Sequence, residues 1–103
     1  MYESTFERKL CEYIKSLGGK AYKWVSPGAP GVPDRIAILP GGRIIFIEVK
    51  RPGLSDGLSI RQKKVIATLE GLGCTVWRIS DMEDLKARLK ADGIQTLLLS
   101  GLR

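Results

Sequence analysis

Asp34, Glu48 and Lys50 are the residues of this sequence whose types and spacing could do chemistry. Glu48 and Lys50 flank Val49 at the end of the run R-I-I-F-I-E-V-K, and Asp34 follows Pro33 at the head of a second apolar run, D-R-I-A-I-L. Residues two apart in a strand share a face, so Glu48 and Lys50 point the same way while Val49 enters the opposite layer. An acid and a lysine together on an otherwise apolar strand are costly unless charged ligands offset them. A bound cation and a phosphate would. Carboxylates are the hard oxygen ligands that Mg²⁺ and Mn²⁺ prefer, so Asp34 and Glu48 fit as ligands, and the Val49 carbonyl can add a backbone oxygen. Lys50 beside them could orient an attacking water or stabilise charge developing on a phosphate. Alone, E-x-K is common and reads as a pair of strand-end charges at the solvent boundary; its company gives it weight.

The elements that must bring these residues together begin with a hairpin. Val32 to Lys50 holds two Ile-rich runs around Pro40-Gly41-Gly42, the signature of paired strands over residues 34–39 and 43–50. A two-residue Gly41-Gly42 turn would set Asp34 opposite Val49, on the wrong face for Glu48. Asp34 can join Glu48 only through an odd loop count, a bulge, or a position ahead of regular pairing. Because the second run is apolar on both faces, it is expected to be a central strand covered by helices on each side. The preceding S-P-G-A-P-G-V-P is too rich in Gly and Pro for a regular element and reads as an active-site loop.

Three helices are expected around the hairpin. The first runs over residues 4–17, with Ser4-Thr5-Phe6-Glu7 as a capping box and Phe6, Leu10, Tyr13, Ile14 and Leu17 as its apolar stripe. Glu7 borders that stripe; it either closes the cap on Ser4 or joins the acidic cluster at the hairpin mouth. The second starts at Ser59-Ile60-Arg61-Gln62, again a capping box, with Val65, Ile66, Leu69 and Leu72 buried and Gln62 turned towards the end of the Glu48 strand. Arg61, Lys63 and Lys64 around it could touch phosphates or form a solvated charged face. The third starts at Ser80 with the same cap pattern and runs to about Ala91, its acids Asp81, Glu83 and Asp84 being favoured at a helix N-terminus. Residues 21–25 and 74–79 read as further strands. Tyr22 and Trp24 share a face and read as packing rather than base-stacking platforms, and Cys74, Val76 and Arg78 share another. The tail T-L-L-L-S-G-L reads as an edge strand or as a surface buried against a second subunit.

Composition bounds the rest. The 103 residues suit one domain with one core, and 44% hydrophobic with 27% charged residues is an ordinary globular composition. With 17 Lys and Arg against 11 Asp and Glu, the net charge of +6 favours a polyanionic partner. No apolar run is long enough to span a bilayer and no signal-peptide pattern is present, so a cytoplasmic location is expected. The sequence contains no histidine, which removes histidine-based hydrolysis and His-ligated zinc. Cys11 and Cys74 form no CxxC pair and read as buried thiols.

Pro33-Asp34, Glu48-Val49-Lys50 and Gln62, together with S-P-G-x-x-G-V-P-D-R, E-x-K-R-P and L-S-x-x-Q, resemble the VRR-NUC domain family of the PD-(D/E)XK nuclease superfamily, in its stand-alone phage and bacterial form. The likeness runs from residue 3 to about residue 80. It implies an α/β, restriction-endonuclease-like core: a mixed sheet of about four strands flanked by helices, in the order α-β-β-β-α-β with a C-terminal helix. It also implies Mg²⁺ or Mn²⁺ on Asp34 and Glu48, and Lys50 as the catalytic lysine. Gln62 matches the family's helix glutamine. Glu7 matches its first-helix acid, with Glu3 as the fallback. Ser26, Arg35, Arg51 and Arg61 are the candidate DNA contacts. The activity implied is that of a metal-dependent endonuclease, homodimeric and cutting branched DNA such as four-way (Holliday) junctions in a bacterial cell or phage-infected host. A nickase or flap-type nuclease, and a non-catalytic basic DNA-binding module, are the alternatives.

Overall fold

In a computed structural model, residues 5–50 and 58–93 are described. They form α1 (Thr5–Ser16), β1 (Lys20–Lys23), β2 (Arg35–Leu39), β3 (Arg43–Val49), α2 (Ile60–Gly71), β4 (Thr75–Ile79) and α3 (Met82–Ala91). This is the expected order, and the fold is a four-stranded mixed sheet flanked by helices. The strands lie side by side as β1-β2-β3-β4, antiparallel except for the β3–β4 pair, which is parallel. A parallel pair needs a crossover, and α2 lies within that connection.

Side-chain alternation divides the sheet into two unlike faces. Ala37 and Leu39 of β2, Ile45 and Ile47 of β3 and Ile79 of β4 meet Leu10 and Ile14 of α1 and Leu85 and Leu89 of α3 in the core. Each fully buried Leu or Ile there contributes about 1.5–3 kcal/mol. The opposite face is thinner: Tyr22, Ile38 and Ile44 are 52%, 38% and 45% exposed. Both faces of β3 were expected to lie under helices, but α2 has no fully buried residue. Leu72, placed by periodicity in its buried stripe, is exposed at the C-cap.

The helix ends follow the cap chemistry with one shift. Ser59 caps α2 through the full capping box. In α3 the cap is Asp81 rather than Ser80, its Oδ1 accepting from the Asp84 amide at 2.8 Å. A fork from Arg43 to Asp92 (Nε–Oδ2 3.0 Å, Nη2–Oδ1 2.9 Å) ties the end of α3 to the start of β3. That hydrogen bonding, more than the charge of Asp92, holds the Arg43 pKa above its ordinary value against partial desolvation. Both cysteines are half-buried and not disulfide-bonded. Among the described residues no helix is long and apolar enough to cross a membrane. Ser4, Arg51 and the apolar tail from Ile94 fall outside the described residues, as does the Ser4 half of the first capping box.

Candidate active site

The register puts Asp34 where the hairpin needed it. β2 and β3 are joined by the three-residue 3-10 turn Pro40–Gly42, an odd count. Gly41 and Gly42 take φ of 85° and 78° there, a region that only glycine enters without strain. Leu39 then pairs with Arg43 and Arg35 with Ile47; carried one step beyond the last pair, that register sets Asp34, in the bend just before β2, across from Glu48. The same row continues across the sheet. Glu48 pairs with Arg78 of β4, and the Trp24 amide donates to the Asp34 carbonyl at 3.1 Å. Trp24, Asp34, Glu48 and Arg78 therefore stand in line at one end of the sheet. Trp24 packs on Phe46 with ring centroids 5.1 Å apart, in keeping with a packing role. Asp34 Oδ2 also accepts from the Val49 amide at 2.8 Å, which pins the acid to the end of β3.

Glu48 is only 3% exposed. A carboxylate buried so far needs hydrogen bonds or counter-charge, because desolvation of an ion costs several kcal/mol. Gln62 supplies one bond, its Nε2 donating to Glu48 Oε2 at 2.8 Å. Capping and site support had been alternatives for Gln62, and the side chain does both. Its Oε1 accepts from the Ser59 amide at 2.8 Å while its own amide donates to Ser59 Oγ at 3.1 Å. Because the Ser59 N–H can only donate, the cap fixes which end of the amide faces Glu48. Gln62→Glu is thus expected to keep the cap, since a carboxylate oxygen also accepts from Ser59, but to set a second charge against Glu48. Calorimetric titration with Mn²⁺ and thermal melts should show altered ion affinity and lower stability; unchanged values in both would remove Gln62 from the site.

Glu7 does not join this group. It lies buried under the sheet, where Arg35 Nε donates to its Oε1 at 3.3 Å. Arg35 shares its face with Ala37 and Leu39, opposite to Asp34 and Glu48, and is 6% exposed. The reading of Arg35 as a DNA contact does not fit that burial. Among the described residues no group of three or more His, Cys, Asp or Glu side chains could hold a metal ion. What remains is a two-carboxylate donor set, Asp34 and Glu48, whose mutual repulsion and oxygen chemistry fit a divalent cation.

Comparison with known proteins agrees with this frame. No protein-family model matches the chain. A solved structure described as "VRR_NUC domain" superposes with a TM-score of 0.74 at 24% identity, over 82% of this chain and 90% of that one, a likeness of fold. The "Putative nuclease p44" of Acyrthosiphon pisum secondary endosymbiont phage 1 is 43% identical over 89 residues, covering 86% of this chain and 92% of that protein. The chain belongs to the VRR-NUC family of PD-(D/E)XK-like nucleases.

In this VRR-NUC chain the remaining candidates divide by exposure. Lys50 directly follows β3; its amide donates to the Ile79 carbonyl at 2.9 Å, and its side chain is exposed. Alternation puts that side chain on the Asp34–Glu48 face. Ser26 is half-buried in the Gly/Pro loop, its carbonyl accepting from the Ala29 amide at 3.1 Å, and Arg61 is exposed on the first turn of α2. Arg78 had been assigned no role from sequence. It is the Glu48 neighbour on β4, and its Nε and Nη2 are buried with no hydrogen-bond partner among the described residues. A lone arginine in the apolar run C-T-V-W-R-I was the available signal. The parallel register that sets it beside Glu48 was not legible locally.

Proposed function

We propose that this protein is a divalent-metal-dependent endodeoxyribonuclease that hydrolyses phosphodiester bonds in branched DNA, such as four-way junctions, acting as a homodimer. The observation that carries the reading is the facing pair Asp34 and Glu48, with Lys50 next along the same strand face and Gln62 holding Glu48. Asp34 and Glu48, with the Val49 carbonyl, would hold Mg²⁺ or Mn²⁺, which supplies polarisation of the phosphate and a more acidic water. Around that ion the chain's own groups have separate tasks. Gln62 orients Glu48, the Lys50 ammonium balances charge on the phosphate, and the net charge of +6 draws the polyanion. Glu7 serves the fold through Arg35 in this reading.

The dimer rests on two considerations. One chain carries one site, whereas resolving a junction takes two coordinated cuts. The half-exposed apolar face of Tyr22, Ile38 and Ile44 offers surface that a second subunit could cover. A labelled four-way junction and a linear duplex, each incubated with Mg²⁺ or Mn²⁺, test the function. Paired cuts confined to the junction are expected, from a species of twice the 11.4 kDa chain mass in light scattering. Cuts confined to one strand of flapped DNA would favour the flap-type alternative. Absence of cleavage with either metal would leave a basic DNA-binding module.

A further inference from the structure

Beside Glu48 the surface opens into a cleft of about 560 Å³, lined by residues 30–32 of the Gly/Pro loop and residues 59–62 at the start of α2. That volume falls within the range of pockets that take small organic ligands, about 300–1,000 Å³. One wall is apolar: Pro30 and Val32 face it from the loop and Ile60 from the helix. Ile60 is 75% exposed, among the most exposed of the large apolar side chains described. The cleft is held in shape by a close approach. Gly31 has φ of +96°, and a Cβ there would come within 3.0 Å of Arg61 Cγ and 3.2 Å of the Arg61 carbonyl oxygen. Gln62, whose amide is already bonded to Glu48, also lines it. Exposed Arg61, Lys63 and Lys64 make the helix turn around it positive.

We propose that this cleft receives a nucleobase displaced from the stack next to the phosphate that is cut, with Ile60, Val32 and Pro30 as its apolar contact surface. The inference rests on the nuclease reading for the position of that phosphate and deepens it by naming what selects branched DNA. A base inside a regular duplex is stacked on both sides, and extracting it costs a few kcal/mol. At a branch point the stack is already interrupted, so the cost is smaller and the base can move into an apolar slot. Flipped bases are held between aromatic or apolar side chains, and Ile is among the residues that proteins insert to unstack base steps. The adjacent cations carry no base information; they hold the phosphates on either side. Pocket and ion site are continuous through Gln62, so a nucleotide whose base fills the cleft has its phosphate near Glu48.

The test uses the full chain and a four-way junction with 2-aminopurine, a base whose fluorescence rises on unstacking, at each nucleotide adjoining the branch. In EDTA, binding of the wild-type protein is expected to raise the fluorescence severalfold at one of these positions. Ile60→Asp and Ile60→Gly should abolish most of that rise, and Ile60→Leu should retain it. In Mg²⁺ or Mn²⁺ the Asp and Gly variants should lose about five- to tenfold in cleavage of the junction, with linear-duplex affinity within about twofold of wild type. Because Ile60 is exposed, its replacement is expected to leave the melting temperature unchanged. Wild-type cleavage with no fluorescence change, or Ile60→Asp cutting at the wild-type rate, would overturn the cleft assignment and leave the nuclease reading standing. An Ile60-dependent fluorescence rise without cleavage by any protein would keep the cleft and overturn the nuclease reading.

Discussion

Lys50→Ala is expected to cut a four-way junction about 100- to 1,000-fold more slowly than wild type, the usual cost of removing one preorganised stabiliser of transition-state charge. Binding should persist, with affinity reduced by less than about tenfold, since one phosphate-facing cation among many is lost. Among the described residues the Lys50 side chain has no hydrogen bond or ion pair that holds the fold. Lys50 is exposed, and the hydrogen bond from its amide to the Ile79 carbonyl survives in alanine. Single-turnover cleavage and gel-shift titration on the same DNA separate the two quantities. Lys50→Arg should restore charge without restoring the full rate, because a planar guanidinium places its donors differently from a compact ammonium. An undiminished rate for Lys50→Ala would remove the lysine from the chemistry and return E-x-K to a pair of strand-end charges.

Glu7→Ala should be costly for a different reason. The side chains of Glu7 and Arg35 are 5% and 7% exposed, so truncating the acid leaves a guanidinium buried beside the core. Breaking a buried pair in this way destabilises by about 3–5 kcal/mol. For a chain of this size that lowers the melting temperature by more than about 10 °C. Replacing both partners with apolar residues of similar volume, Glu7→Leu with Arg35→Met, should recover most of the loss. The double variant should still bind Mn²⁺ through Asp34 and Glu48, as titration calorimetry would report. Loss of ion binding there, with stability intact, would instead make Glu7 a ligand and displace the ion pair as its main role.

Much of this fold could be read locally. Ser59 and Gln62 announce a capping box, the Ile-rich runs around Pro40-Gly41-Gly42 announce a hairpin, and Leu10 and Ile14 announce the buried stripe of α1. Periodicity and cap chemistry act over a few residues, so a sequence displays them directly. The site was legible in part for the same reason. Glu48 and Lys50 are two apart, and alternation alone gives them one face. The need for an irregular connection to bring in Asp34 followed from counting, and the three-residue turn met it.

Other assignments depended on contacts between distant segments. Glu7 read as a cap from periodicity and as a member of the acidic cluster from the family resemblance; Arg35, arriving from β2 on the core face, paired with it. Arg35 itself looked like a surface cation until strand parity turned it inward. Arg78 acquired a neighbour only when β4 aligned parallel to β3. Sequence by itself determined which residues could do chemistry and which elements would carry them, because those are properties of neighbours along the chain. Tertiary structure decided which charges meet. Burial makes an ion choose a partner, and that partner is set by sheet register and face, not by distance in sequence.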